Sequence, residues 1–577
     1  MKITKLEIHN FRNLDGVTVL FDDDCNFIVG ENNLGKSNLL HLLNILFSHR
    51  SFGNEDFKDV TKPIEIFLRI KLTEMEVGHF QDLFDIDDYS TINIICKQTN
   101  MDDNIEFFHL ETTTYIQPST VRCINYIHYD SLRNPITEIR FDRGRGVGRF
   151  LNSLVSQYLK DNEVTDKDFI EISKVNAFIK AINDKLQKIK SFKDFGISAV
   201  PDDDVESLLS KVLVLKDSTG GVLAKAGYGV QFLILVTLSI LEKIQAIMQQ
   251  RKDRGIFENE KTGEKAISLV LGFDEPEIHL HPYMQRALIR FLCAVINNEN
   301  KDFKSLIKEL FDIDNFIGQI IVVTQSPNII LNDHKQIIRF YLDNNSLKIV
   351  SGAQLKLNAQ LQKHLYLNFP FIKESFFSHC TIFVEGDSEY ASLPLFAQKR
   401  PTPVDFDDVG ICVIQAHGDS IPQLIELASL FGIPSVGLTD KDSGSTVPTL
   451  PNHYQTNLRN FEEELVNIIN ANGEATLRKV VSTYDPKGIN REIQFEALNK
   501  WALRTYSVVS KEYTDNLKLA DITITDLINL KAFYLTWFSI NKSYPLGKLI
   551  GETLSQAEIP IPYQNIITEA LKLVQNV

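Results

Sequence analysis

Phe27-Ile28-Val29-Gly30-Glu31-Asn32-Asn33-Leu34-Gly35-Lys36-Ser37-Asn38 is the stretch from which the rest of this 577-residue chain is read. It spells G-x-x-x-x-G-K-S directly after a short apolar run, so strand, glycine-rich turn and helix are expected in that order. Gly30 and Gly35 let successive backbone N–H groups turn towards one anion. Lys36 is placed to reach the β- and γ-phosphates of a nucleotide, and the Ser37 hydroxyl to bind Mg²⁺. Asn33 and Asn38 complete the candidate cradle. ATP is the expected ligand.

Downstream, Ala266–Phe273 is an apolar run ending in Asp274-Glu275-Pro276-Glu277. A strand with this ending offers Asp274 to the Mg²⁺ shell and Glu275 to orient or deprotonate an attacking water. His279 and His281 follow in a turn that leads into a helix, where either can meet a partner subunit. A further strand, Gln319–Thr324, ends in Gln325, a position suited to sensing the γ-phosphate.

A second, unrelated site follows. Thr381-Ile-Phe-Val precedes Glu385-Gly386-Asp387-Ser388-Glu389, and Ser435-Val-Gly-Leu-Thr precedes Asp440-Lys441-Asp442. Acidic residues at the carboxyl ends of strands face a cleft, and this E-G-x-x-E with D-x-D suits divalent cations held on oxygen. Solvated acidic loops explain one of these pieces more easily than both.

The length predicts two to four domains. No unbroken apolar run approaches the roughly 18–20 residues that span a bilayer, and no signal-peptide pattern is present. A cytoplasmic protein without membrane contact is therefore expected. Six scattered cysteines, without a C-x-x-C pair, read as reduced core residues. The formal net charge of −15 speaks against nucleic acid only at face value. Metal-holding carboxylates inflate that count, and duplex contact depends on local patches. Arg133, Arg140, Arg143, Arg145 and Arg149 form one such patch, as readily a surface ion-pairing segment as a DNA-facing one.

Strand patterns fill the first 130 residues around one helix opened by Lys36. From Gly146 to about Phe192 the periodicity turns helical, giving either a pairing surface or lid, or core helices. A strand pattern is expected again after Ala199.

Phosphate loop, Asp-Glu-Pro-Glu with His-Leu-His-Pro, and the strand ending Thr-x-Ser-Pro together resemble ABC-type ATPases of the SMC, Rad50 and RecF group. With the Glu385/Glu389 and Asp440/Asp442 motifs, nearly the whole chain resembles OLD (overcoming lysogenization defect) family nucleases. In length and layout it is similar to the nuclease subunits of Gabija anti-phage systems and to retron-associated OLD effectors. The resemblance implies an α/β architecture: an N-terminal ABC-type ATPase with a helical dimerisation insertion, then a C-terminal Toprim domain with a helical extension. Its boundaries fall at 1–145 and 199–355 for the ATPase, 146–198 for the insertion and 375–577 for the Toprim part.

The resemblance further implies that Glu385, Glu389, Asp440 and Asp442 hold Mg²⁺ or Mn²⁺. A later helical carboxylate, Glu462 or else Glu463 or Glu464, joins them. A late lysine steadies the scissile phosphate, Lys542 being preferred to Lys548, although a surface role for Lys542 stays open. The implied partners are double-stranded DNA, a second or fourth copy of the chain, and a helicase-like subunit or a retron reverse transcriptase with its RNA/DNA. Two departures stand out. The ABC signature falls at Lys225-Ala226-Gly227-Tyr228-Gly229-Val230-Gln231 without its serine, and Gln325 replaces the family's sensing histidine. Both favour ATP as a regulator over fast turnover. The competing reading is an ATP-driven DNA-repair clamp whose Toprim-like domain only binds DNA. A topoisomerase would need a separate tyrosine-bearing cleavage block, which is not visible.

Overall fold

The computed structural model describes residues 1–130 (except 49, 81, 82 and 86), 146–161, 180, 215 and 228–575 (except 251–254, 260, 279, 332, 442–449 and 507–512). Four of the five clustered arginines, most of the helical insertion, the first three residues of the signature segment, His279 and Asp442 lie outside the described residues.

Two sheets build the N-terminal half. Strands β1 (Lys2–His9), β2 (Val17–Leu20), β4 (Ile64–Lys71), β5 (Thr91–Gln98), β6 (Glu106–His109) and β7 (Tyr115–Ile116) form an antiparallel sheet in the order β2-β1-β4-β5-β6-β7. β4 alternates buried and partly exposed residues along Ile64-Glu65-Ile66-Phe67-Leu68-Arg69-Ile70, as a strand with one covered face does. The second sheet runs β13-β12-β3-β11-β10-β8, where β3 is Cys25–Gly30, β8 Asn125–Tyr129, β10 Lys265–Asp274, β11 Asn315–Val323, β12 Ile337–Asp343 and β13 Ser346–Ser351. A short β9 (Ile256–Glu258) pairs with β10. β3 and β10 are buried almost end to end, the pattern of parallel strands covered on both faces.

Between these segments lies a correction. The strand pattern expected after Ala199 gives way, among the described residues, to the 23-residue helix Tyr228–Gln250. Phe232, Leu235, Val236 and Ile240 recur at helical spacing and enter the core. The same helix corrects the reading that no segment is long and apolar enough to cross a membrane. Gly229–Gln249 is long and apolar enough by length and composition, because Gln231, Thr237 and Ser239 interrupt the run without making it polar. Half of that span is buried in the ATPase core.

The C-terminal half is a four-stranded parallel sheet, β15-β14-β16-β17, with β14 Cys380–Val384, β15 Ile411–Gln415, β16 Ser435–Thr439 and β17 His453–Gln455. Helices from Phe461 to Gln575 pack on one side around Leu465, Phe533, Tyr534 and Tyr563. A connecting helix, Ala359–Ile372, falls in the stretch between the two expected domains. Its Leu365, Phe369 and Ile372 share one apolar cluster with ATPase residues and with Phe383, Leu424 and Phe431 of the parallel sheet layer. The two halves therefore share a core. The six cysteines are free thiols, four of them buried.

Candidate active sites

Three neighbouring parallel strands deliver the first site. β3 runs into the phosphate loop, β10 ends at Asp274 and β11 precedes Thr324-Gln325; Asp274 lies opposite Val323 and Val323 opposite Ile28. A Cβ at Gly30 would collide with the Phe340 carbonyl of β12, so only glycine allows this approach of loop to strand. Gly35 caps the helix Lys36–Phe47 in the left-handed region, at φ 88°. Ser37 Oγ donates to Asp274 Oδ1 at 2.9 Å, bringing together the two expected Mg²⁺ ligands. Lys36 is buried and its ammonium donates to the carbonyls of Gly30 and Glu31, while burial lowers its pKa against the pull of Glu275 and Glu31. Burial likewise raises Asp274.

Glu275 sits at φ 47°, and its carboxylate accepts from the Gln325 side chain. Asn33 is exposed in the loop at φ 62°. Asn38 accepts from Arg12 and donates to Asn13, each at 2.8 Å. Arg12 and Asn13 went unnoticed in the sequence, although Asn10-Phe11-Arg12-Asn13 is a polar turn directly after a strand. Arg12 is held at φ 42° and also reaches Asp56. Glu277 was missed too: its Oε1 accepts from Thr324 Oγ1 and from the Gln325 backbone, both at 2.7 Å. It fixes the loop that carries Gln325.

The second site is built by β14, β16 and two later helices. Glu385 follows β14, Asp440 follows β16, and the Asp440 N–H donates to Glu385 Oε1 at 2.7 Å. Glu389 is buried in the first turn of helix Asp387–Gln398. Glu462 is buried on helix Phe461–Asn467, and Lys542 Nζ approaches its Oε1 to 3.3 Å. The alternatives separate here: Glu463 and Glu464 accept backbone N–H groups of Arg459 and Leu458, and Lys548 is exposed beside Glu552.

The electrostatics are those of an acid cluster with one resident cation. Burial, then the neighbouring charge of Glu389, pushes Asp440 up to about 9; burial pushes Glu389 up to about 7 despite Lys542. Burial works against the Lys542 charge, but Glu389, Glu462 and Asp440 prevail and raise it. Among the described residues no three His, Cys, Asp or Glu side chains form a closed metal cage. The cluster nonetheless fits a cation. Glu389 Oε2 is buried without a hydrogen-bond donor, Glu462 Oε1 has the Lys542 ammonium beside it at 3.3 Å, and a Cβ at Gly386 or Gly418 would fill the space against Glu389 or Glu385.

Comparison with known proteins decides the family. The model described as AAA ATPase domain matches residues 1–139 and 90–330, more than half the chain, and that described as "Overcoming lysogenization defect protein-like, TOPRIM domain" matches 376–442. The chain belongs to the AAA ATPase domain family and carries an OLD-protein-like Toprim domain behind it. It thus joins an N-terminal ATPase domain to a Toprim domain like that of OLD proteins. It is 31% identical to DNA replication and repair protein RecF of Oceanobacillus iheyensis over 114 residues, 16% of this chain and 31% of RecF. RecF of Staphylococcus aureus is 29% identical over 100 residues, 14% of this chain and 27% of RecF. The chain thus spans about a third or less of these relatives. Among solved structures, the SMC head bound to the C-winged helix domain of ScpA covers 62% of this chain and 99% of its own, with 16% identity and a TM-score of 0.33. The C-terminal region of the Xanthomonas campestris pv. campestris OLD protein covers 35% and 96%, with 20% identity and a TM-score of 0.24.

Proposed function

We propose that the protein is a metal-dependent DNA endonuclease held under control by ATP at its own ATPase domain, and that it acts in defence against phage. The observation that carries this reading is the gathering of Glu385, Glu389, Asp440 and Glu462 around Lys542 from separate segments of the chain. A clamp that only holds DNA has no use for four gathered carboxylates, three of them buried, at such electrostatic cost.

Glu385, Glu389, Asp440 and Glu462 are the residues that would hold Mg²⁺ or Mn²⁺, with Asp442, two residues after Asp440 in sequence, as a further candidate. Bound there, such ions supply the clamp on attacking and leaving oxygens of an in-line phosphoryl displacement. Lys542 donates to a non-bridging phosphate oxygen and offsets charge that develops on it. Gly386 and Gly418 leave the cluster room for its ligands. In the ATPase domain, Ser37 and Asp274 would hold the nucleotide's Mg²⁺, Glu275 would orient the attacking water, and Gln325 would report the γ-phosphate. ATPase domains of this kind work in pairs, so the active form is a dimer or tetramer, alone or with a further subunit.

Purified protein incubated with plasmid and Mg²⁺ or Mn²⁺, with and without ATP, tests the reading. Nicking that needs the divalent ion and changes with ATP is the expected result. Nucleotide-dependent DNA binding without strand breaks would favour the clamp.

A further inference from the structure

A groove between helix Pro282–Ile296 and the connecting helix Ala359–Ile372 belongs to neither active site. It encloses about 430 Å³ and is lined by Arg286, Arg290, Asn328, Phe371, Lys373 and Glu374, among others. Arg286 and Arg290 lie four residues apart and so share a helix face. Among the described residues no carboxylate stands within ion-pair distance of either, and Lys373 instead donates to the Ile330 carbonyl at 2.7 Å. Three cations facing one carboxylate reverse the balance of a chain with 75 acidic and 60 basic residues. The three also repel each other: after burial, Arg286 and Arg290 are what lower Lys373. An arrangement of this sort is relieved by a polyanion.

Phe371, which lines the groove, is 64% exposed; Tyr366 and Tyr283 stand on the same two helices, each 65% exposed, with Tyr283 stacked on His281. Bare rings beside arginines suit sugar and base faces, which every sequence presents. The surface then continues towards the Toprim acids. Glu374 is close enough to act electrostatically on Tyr390, whose ring lies 6.0 Å from that of Tyr544. Tyr390 directly follows Glu389, and Tyr544 comes two residues after Lys542. With Arg290 and Phe371 exposed at its mouth, the groove is an open channel, which fits a passing polymer better than a small anion.

We infer that this groove binds the phosphodiester backbone of the DNA that flanks the bond to be cut, an inference that rests on the nuclease reading above. Arg286 and Arg290 take the phosphates, Lys373 adds to their field, and the Phe371 side supports sugars or bases.

Binding of a labelled duplex, followed by fluorescence anisotropy in EDTA across a salt series, tests it without cleavage. R286E/R290E should lose about tenfold or more in affinity, and its slope of log K against log salt should flatten by about 2. The milder R286A/R290A should lose affinity in the same direction with an unchanged melting temperature. K58E/K62E, which changes net charge equally on a distant lobe, should bind as the parent does. Unchanged affinity and slope in R286E/R290E, or an equal loss in K58E/K62E, overturns the groove. So does a change in molar mass by light scattering, which would make this face a contact between copies. If metal-dependent cleavage sensitive to Asp440→Ala persists while R286E/R290E binds normally, the groove alone falls. If the parent neither binds nor cuts DNA, the nuclease reading falls with it.

Discussion

Glu31, inside the phosphate loop, stands 3.3 Å from His379, the residue directly before β14, the strand that Glu385 follows. The two line a cavity of about 380 Å³ together with Gly30, Asn32, Gln325 and Phe377. One side of this space is the nucleotide site and the other is the entry to the Toprim sheet. From His379 to Glu385 the strand spans about 20 Å, so a shift of the loop has a short, stiff route to the acid cluster.

His379→Ala should therefore weaken the link between nucleotide and cutting while sparing each site. The expected result is a ratio of nicking rates with and without ATP closer to one, at an ATP affinity within about threefold of the parent; coupling energies are typically about 1–3 kcal/mol. A ratio equal to that of the parent would remove this contact from the coupling.

Asp440→Ala should abolish nicking and leave ATP binding intact. Losing a ligand from a site that clamps phosphoryl oxygens costs several kcal/mol, on the order of a thousandfold in rate. A readout independent of activity accompanies it: Mn²⁺ should raise the melting temperature of the parent by mass action, and much less that of the variant. Near-parental cleavage in Asp440→Ala would sink the assignment.

Legibility in the sequence followed the range of the interactions involved. The phosphate loop, Asp274-Glu275 and the Glu385 and Asp440 motifs sit at the ends of short apolar runs, and local pattern is enough to find them. Lys542 and Glu462 were preferred to Lys548, Glu463 and Glu464 on the resemblance, and their mutual approach at 3.3 Å is a matter of packing that local sequence does not carry. Arg12 and Glu277 were invisible because their role is to hold another residue. The helix Tyr228–Gln250 was not anticipated within the strand pattern expected after Ala199, because its burial stripe is set by the sheet it covers. The connecting helix Ala359–Ile372 carries Pro370 and no clean stripe, and only the shared core reveals why it is there.

Arg339 should be the most sensitive single position joining the two halves. It is buried on β12, and its guanidinium donates to the carbonyls of Phe376, Ser378, Phe431 and Gly432 at 2.7–3.3 Å. Burial lowers its pKa to about 10, so it remains charged at neutral pH. Arg339→Leu strands four carbonyls in the junction and should cost about 3 kcal/mol or more. Arg339→Lys, with three donors in place of five, should recover part of that. Denaturant unfolding of both variants checks the order; a parental midpoint for Arg339→Leu would show that the junction does not depend on it.

Light scattering at micromolar concentration should give at least a dimer. Symmetric pairs are the commonest soluble assemblies, and the function proposed above has a second copy complete each ATP site. A monomeric mass would contradict the paired arrangement.

Lys36→Ala decides what the nucleotide does. The phosphate loop, Ser37 and Asp274 are in place to bind ATP with Mg²⁺, yet Gln325 stands where a proton-bearing histidine is expected, and it bonds to Glu275 itself. A Glu275 held by an amide is poorly free to draw a proton from water, which favours a site that reads ATP over one that burns it quickly. A ligand shifts an equilibrium only through different affinities for its two states. If ATP prefers the state in which cutting is held back, then Lys36→Ala, by losing the ammonium that meets the phosphates, should lose ATP binding by at least about tenfold. It should also cut plasmid as fast as, or faster than, the parent at millimolar ATP. Equilibrium binding of a fluorescent ATP analogue and a nicking time course measure the two effects separately. Loss of cutting together with loss of binding, or stimulation of the parent by ATP, would mean that hydrolysis drives the nuclease.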